Sequence, residues 1–330
     1  MIPVIVNKLL AARRVLIMTH LRPDGDALGS SFGLRQFLRD NGIAAEVIIP
    51  MAMPNRYRKL CQGALETVSK AEFAAYDLAV SVDCANGERL GCGAELSLEL
   101  LKAGNFINID HHRGNSLDAD CAYLDPDAAS ACTLVAEILL HSGRKISAEC
   151  ATFLLAGMMT DTGCFCFANT SGRALRVAAE MTDRGADVEK IANAVFFSKE
   201  LRQLKFEADL VENHLKTACN GKFAYIYVPE EVLSKYQFDL KEDEGLIDIV
   251  RSVDDAVIAM LSHRRPDGFR ISLRSKDKRF PVGPLARRFG GGGHDMAAGC
   301  TIEAADFAAV EKILLPELTG LLESLPVAGK

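Results

Sequence analysis

Apolar residues recur in two rhythms along this chain. Short runs, "VLIMT" at 15–19, "AAEVIIP" at 44–50, "LAVSVD" at 78–83, "FINID" at 106–110 and "AYL" at 122–124, have the length and density of buried strands. Between them lie stretches of helical spacing. At 27–41, Leu28, Phe32, Leu34, Phe37 and Leu38 share a side and Asn41-Gly42 supplies a stop. The same spacing predicts helices over 128–141, 148–160 and 172–184. Strands alternating with helices predict an α/β fold on a doubly wound, mostly parallel sheet.

The rhythm changes past Ala186. "VEKIANAVFFSKELRQLKFEADLVENHLKTACN", 188–220, reads as helix without strand, and "FAYIYV" at 223–228 then opens a second pattern. "DDAVIAMLSH" and "GFRISLRS" predict adjacent strands turned at Arg265-Pro266-Asp267-Gly268, with a terminal helix after "TIEAADF". The expected organisation is a first domain at 1–185, a helical connector at 186–218 and a smaller α/β domain at 219–330.

Composition narrows the class. A hydrophobic share of 49% in 330 residues is ample for two cores, and no window is apolar for long enough to span a membrane. The first twenty residues carry their charges after the apolar stretch and no small-residue cleavage site follows, so they predict an amphipathic helix leading into the first strand. None of the ten cysteines form a CxxC pair, and Cys164 and Cys166 make a lone CxC. That usage suits reduced, buried thiols in a cytoplasmic protein better than structural zinc or a disulfide framework. The net charge of −6 argues against general attraction to nucleic acid. Between Arg264 and Arg288, however, nine Lys or Arg oppose Asp267 and Asp277, a local +7 that leaves −13 for the rest (−6 minus 7). Such a segment in an acidic protein predicts an anionic ligand at one place.

Charged clusters end the apolar runs. "THLRPDGDALGS" brings His20, Asp24 and Asp26 after the first strand, "VSVDCAN" brings Asp83, "FINIDHH" brings Asp110, His111 and His112, and the helix "CATFLLAGMMTD" runs into Asp161. In open parallel sheets ligands bind beyond the carboxyl ends of the strands, so three of these clusters belong on one edge. Carboxylates crowded there repel unless a cation lies between them, and no nearby lysine or arginine offers itself. Oxygen and imidazole donors without thiolate suit manganese or magnesium, with zinc or cobalt as substitutes, and the imidazoles favour manganese. Two such ions about 3.5–4 Å apart stabilise both the attacking and the leaving oxygen of phosphoryl transfer. Taken singly, Asp24, Asp83 or Asp161 reads more readily as an ordinary helix cap than as a ligand. Gly25 and Gly29 are expected to relax the ligand turn and admit a phosphate.

"HLRPDGDALGS", "VDC", "DHH" and "TDTGCFCF" resemble the four successive motifs of the DHH phosphoesterase superfamily, and "GGGGHDMAAG" resembles the glycine-rich signature of its DHH-associated C-terminal domain. Order, spacing and length resemble the stand-alone members that degrade very short RNAs and dephosphorylate 3′-phosphoadenosine 5′-phosphate. The resemblance implies that His20, Asp24 and Asp83 bind one manganese, and that Asp26, Asp83, His111 and Asp161 bind a second, with Asp83 shared. It implies that His112 contacts the scissile phosphate and that Asp110 orients an imidazole, with Ser30 and Asn86 as weaker candidates nearby.

In the C-terminal region alternation sends Arg270 and Arg274 to one face of a strand, and the guanidinium fork of Arg274 suits a phosphate. Ser275 and the amides of Gly291, Gly292, Gly293 and His294 join it as candidate substrate contacts. Phe289 reads as core. The expected partners are short RNA oligonucleotides and nucleoside bisphosphates, and a monomer and a homodimer both fit. A phosphodiesterase for cyclic dinucleotides or their linear products, and a nucleotide-sensing module without turnover, are the rival readings.

Overall fold

Strand β1, Arg14–Met18, sends Val15 and Ile17 into one apolar cluster and Leu16 and Met18 into another, the behaviour of a strand covered on both faces. The computed structural model describes residues 1–49, 53, 57–58, 61, 73–90, 105–240 and 245–323. The chain divides into two units, Met1–Ser198 and Lys199–Lys330. In the first, β1 is joined by β2 (Ala44–Ile48), β3 (Leu78–Val82), β4 (Phe106–Asp110) and β5 (Cys121–Leu124). Among the described residues these make one parallel sheet in the order β2-β1-β3-β4-β5. Strand order reverses at β1, which opens a crevice beyond the carboxyl ends of β1 and β3.

Helix α1 (Ile2–Ala11) buries Ile5, Val6 and Leu9 and is the amphipathic element expected before β1. Helices α2 (Gly25–Asp40), α3 (Ala131–His141), α4 (Ala148–Asp161) and α5 (Gly172–Asp183) carry most of the larger cluster. The α2–α4 contact corrects one expectation. A Cβ on Gly25 would stand 2.3 Å from Thr160 Oγ1 and one on Gly29 would stand 2.6 Å from the Phe153 carbonyl oxygen. These glycines therefore let two helices touch rather than a phosphate approach.

Helix α3 begins three residues later than its periodicity suggests. Ser130 caps it by accepting from Thr133 N, and Ala128 N donates to Asp125 O in the preceding turn. The late start leaves the first amides of α3 for another partner.

Past α5 the chain forms α6 (Val188–Ile191) and a π-helical turn at Ala192–Phe196. The second unit follows with α7 (Leu201–His214), β6 (Leu215–Ala218), β7 (Phe223–Val228), α8 (Glu230–Tyr236) and α9 (Leu246–Arg251). It continues through β8 (Ile258–Arg265), β9 (Gly268–Ser275), α10 (Gly283–Arg288), β10 (Gly292–His294), β11 (Ala297–Ile302) and α11 (Phe307–Glu323). Among the described residues its sheet has the order β10-β11-β9-β8-β7-β6, and only the β7–β8 pair is parallel. The expected hairpin joins β8 to β9, pairing Arg265 with Gly268.

Strand β6 corrects the all-helical reading of 188–220. It pairs antiparallel with β7 through a turn in which Cys219, Asn220 and Gly221 all have positive φ. The Asn220-Gly221 dipeptide was the local sign of that reversal. Among the described residues no helix is long and apolar enough to cross a membrane.

One stability prediction tests the helix contact. A Cβ on Gly157 of α4 would lie 2.2 Å from Cys132 Sγ, whereas one on Gly320 of α11 meets nothing within 4 Å. Gly157→Ala should cost about 1–3 kcal/mol through overpacking, and Gly320→Ala should be neutral or stabilise by up to about 1 kcal/mol. Urea midpoints at constant slope report both.

Candidate metal centre

His20, Asp83 and the Asp110-His111-His112 triplet lie at the carboxyl ends of β1, β3 and β4, and α2 and α4 add Asp24, Asp26 and Asp161. The side chains converge in overlapping groups: His20, Asp24 and Asp83; Asp26, His111 and Asp161; and Asp83, His111 and His112. Within each group the donor atoms lie inside 4.8 Å of one another.

Local structure aims each donor. Asp24 is the N-cap of α2, where Oδ1 accepts from Asp26 N and Ala27 N at 3.0 and 3.1 Å while Oδ2 lies 3.8 Å from His20 Nε2. Cap and candidate ligand are thus the two oxygens of one carboxylate. Asp26 is buried, and its oxygens accept from Ala131 N at 2.6 Å and Cys132 N at 2.9 Å, the amides that the late start of α3 provides. His20 Nδ1 is 2.8 Å from Leu21 O and His111 Nδ1 is 3.3 Å from Ala128 O. These carbonyls favour the tautomer that turns an unprotonated Nε2 into the cluster.

Asp83 stands between the groups. Its Oδ2 lies 3.6 Å from His20 Nε2, and its Oδ1 lies 3.5 Å from both His111 Nε2 and His112 Nδ1. The residue is buried, has φ of 55°, and its Oδ1 has no hydrogen-bond partner. Separations of this size are too long for good hydrogen bonds. They suit donors sharing a cation held roughly 2.0–2.2 Å from each. Among the described residues, the ion pairs of these five aspartates are to histidine alone. An orphaned buried oxygen amid oxygen and imidazole donors fits divalent cations.

The electrostatics show the same demand for positive charge. Burial would raise the Asp83 carboxyl, but the imidazoles of His111 and His20 outweigh it and hold the group well below the usual carboxylate range. Asp26 is pushed up by burial and then by Asp83, and Asp161 by burial and then by Asp26. Burial opposes protonation of His20, yet Asp83 and Asp24 raise it to about 9.

Asp110 is fully buried and its Oδ1 lies 2.8 Å from His112 Nδ1. Asn115 Nδ2 donates to Asp110 Oδ2 at 2.5 Å and to Cys84 O at 3.2 Å. The structure also brings in Asn169, whose Nδ2 lies 3.3 Å from Asp161 Oδ2. Sequence reasoning missed both asparagines, because nothing in their local order separates them from ordinary loop residues. Ser30 instead donates to Asp26 O and Ala27 O within its helix, and Asn86 caps the turn at Gly87–Arg89. Neither presents its oxygen to the cluster.

In the second unit Arg274 Nη1 donates to Leu273 O at 3.0 Å, and burial lowers the guanidinium below its usual value. Register places Arg274 between Ala259 and Ala297, small neighbours on both flanking strands. The Ser275 hydroxyl donates to Asp277 O and accepts from Asp277 N, so a turn uses it. The glycine run differs from the open cradle expected. Gly292–His294 form a short exposed strand on β11, and Gly291 packs so closely that a Cβ would stand 2.2 Å from Gly299 O. Phe289 packs against the apolar cluster, as expected of a core residue.

The raised His20 makes a pH prediction. Its folded value of about 9 exceeds the ordinary 6.5, so the folded state holds the extra proton and stability falls as pH rises through that window. Protein kept in chelator should melt at progressively lower temperature from pH 6.5 to 9. Added manganese should raise the melting temperature more at the alkaline end, since the cation takes the place of departing protons.

Along most of its length the chain is similar to known proteins. The DHH family, N-terminal domain, matches residues 14–158, and the DHHA1 domain matches 220–317. The chain is 30% identical over 305 residues to the bifunctional oligoribonuclease and PAP phosphatase NrnA of Thermus thermophilus, covering 91% of this chain and 88% of that one. The Bacillus subtilis protein of the same name is 25% identical over 299 residues, covering 89% and 91%. A crystal structure of an exopolyphosphatase-related protein from Bacteroides fragilis superposes with a TM-score of 0.87 at 27% identity, over 98% of this chain and 97% of that one. With the strand-end carboxylates and histidines gathered as described, the chain belongs to the DHH family of phosphoesterases.

Proposed function

We propose that this protein is a metal-dependent phosphohydrolase that degrades short oligoribonucleotides to mononucleotides and removes phosphate from 3′-phosphoadenosine 5′-phosphate. The observation that carries the reading is Asp83, buried with an oxygen that makes no hydrogen bond, between the His20–Asp24 and Asp26–His111–Asp161 groups. The names borne by relatives aligned over most of their length supply the substrate class.

His20, Asp24 and Asp83 would hold one cation, and Asp26, Asp83, His111 and Asp161 the other. The donor set favours manganese, with magnesium, cobalt or zinc as substitutes. When bound, the cations supply Lewis-acid stabilisation of charge on the phosphoryl oxygens. His112, its Nδ1 engaged by Asp110, would donate from Nε2 to a phosphoryl oxygen as negative charge grows there. Asp110, held by Asn115, fixes that orientation. Water adds to phosphorus, the ester oxygen departs, and a proton passes to the departing oxygen.

Residues 1–185 would form the catalytic domain, 186–218 the connector and 219–330 the substrate-binding domain. There Arg274 and the strand at Gly292–His294 would take a further phosphate of the nucleotide. The buried thiols among the described cysteines suit a reducing cytoplasm.

Short labelled RNAs, 3′-phosphoadenosine 5′-phosphate and a linear di-adenylate, each with manganese, test the proposal. Mononucleotides and phosphate should be released, and chelation or Asp83→Ala should abolish both activities. His112→Ala should lower kcat by about 10²–10³-fold, whereas Arg274→Ala should act mainly on KM. Undiminished turnover in Asp83→Ala would refute the assignment, and activity confined to the di-adenylate would move the protein to dinucleotide turnover.

A further inference from the structure

One stretch of backbone, residues 125–132, serves one ligand group. Ala128 O meets His111 Nδ1, and the amides of Ala131 and Cys132 meet the two oxygens of Asp26. Ala129 O accepts from Asn169 Nδ2 at 3.0 Å, and the same nitrogen lies 3.1 Å from Asp161 O and 3.3 Å from Asp161 Oδ2. All three members of the Asp26–His111–Asp161 group therefore depend on this stretch, directly or through Asn169. The other group is held differently. His20 leans on Leu21 O, and Asp24 caps its own helix.

Arg173, in the first turn of α5, anchors the stretch. Its Nη1 donates to Asp125 Oδ2 at 2.5 Å, its Nε and Nη2 donate to the two oxygens of Glu137 at 2.6 Å each, and Nη2 also reaches Tyr123 Oη at 3.1 Å. Asp125 N in turn donates to Asp110 O at the end of β4. One partly buried guanidinium thus ties β5, the 125–132 stretch and α3 to α5. A lysine has too few fixed donors to replace such a fork.

We propose that Arg173 and Asn169 are positioning residues that set the cation affinity of the Asp26–His111–Asp161 group separately from that of the His20–Asp24 group. The proposal rests on the two-cation reading above. Releasing Arg173 lets the stretch shift, which withdraws the carbonyl that orients His111 and the amides that hold Asp26. Releasing Asn169 frees Asp161 alone. Outer partners of this kind typically change metal affinity by about 10–100-fold when removed.

Manganese titrations of the full-length protein by calorimetry, with melting curves in chelator, decide the matter. Wild type should show two binding events, one of which His20→Ala removes. Arg173→Met should weaken the other event by about 10–100-fold, Arg173→Lys by less, and the exposed Asn169→Ala by about tenfold. In each case the His20-dependent event should keep its affinity. Equal weakening of both events, or no change in either, would overturn the proposal. Should Arg173→Met fail to fold, Arg173→Lys and Asn169→Ala still distinguish selective from equal weakening. A wild type with one event or none would instead overturn the two-cation reading, and the proposal with it.

Discussion

The carboxylate of Asp83 is the constraint around which the first unit is organised. It leaves β3 in a left-handed conformation, is buried, and has one oxygen without a hydrogen bond beside the imidazoles of His111 and His112 while the other faces His20. A buried anion of that kind is unfavourable unless positive charge compensates it. The reversal of strand order at β1 places β1 and β3 side by side and so brings His20 to Asp83, while β4 brings His111 and His112 from the opposite side. The apolar clusters on the two sheet faces hold these strand ends rigidly enough for like charges to remain together.

Structural and chemical uses of the same residue coexist here. Asp24 caps a helix with one oxygen and faces His20 with the other. Asp26 satisfies the first amides of α3 with the two oxygens of its carboxylate. A choice between cap and ligand is therefore a false one for these aspartates. Backbone groups left over at helix ends become the supports of a charged site.

In the second unit several basic side chains of the charged segment are engaged by neighbouring groups. Arg264 donates to Ala305 O, Arg279 pairs with Asp277, and Arg288 makes two bonds to Glu317. Arg270 and Arg274 lie on one face of β9, beside small residues of β11.

By itself the sequence determined the class of fold and the set of charged residues worth watching. Two-face burial forces apolar runs on the central strands, and the polar clusters that end them sit on one edge because the strands are parallel. Strand limits differ by up to two residues, since periodicity marks burial and not hydrogen bonding. Only the tertiary structure decided what those clusters lean on. Ala128 O, the amides of Ala131 and Cys132, Asn115, Asn169 and Arg173 carry no local pattern, because their partners lie on other strands and helices. The same cause explains β6, whose four residues became a strand through pairing with β7, and Ser275, whose hydroxyl the Asp277 turn claimed. Periodicity records which side of an element is buried, and contacts between elements arise only when the chain has folded.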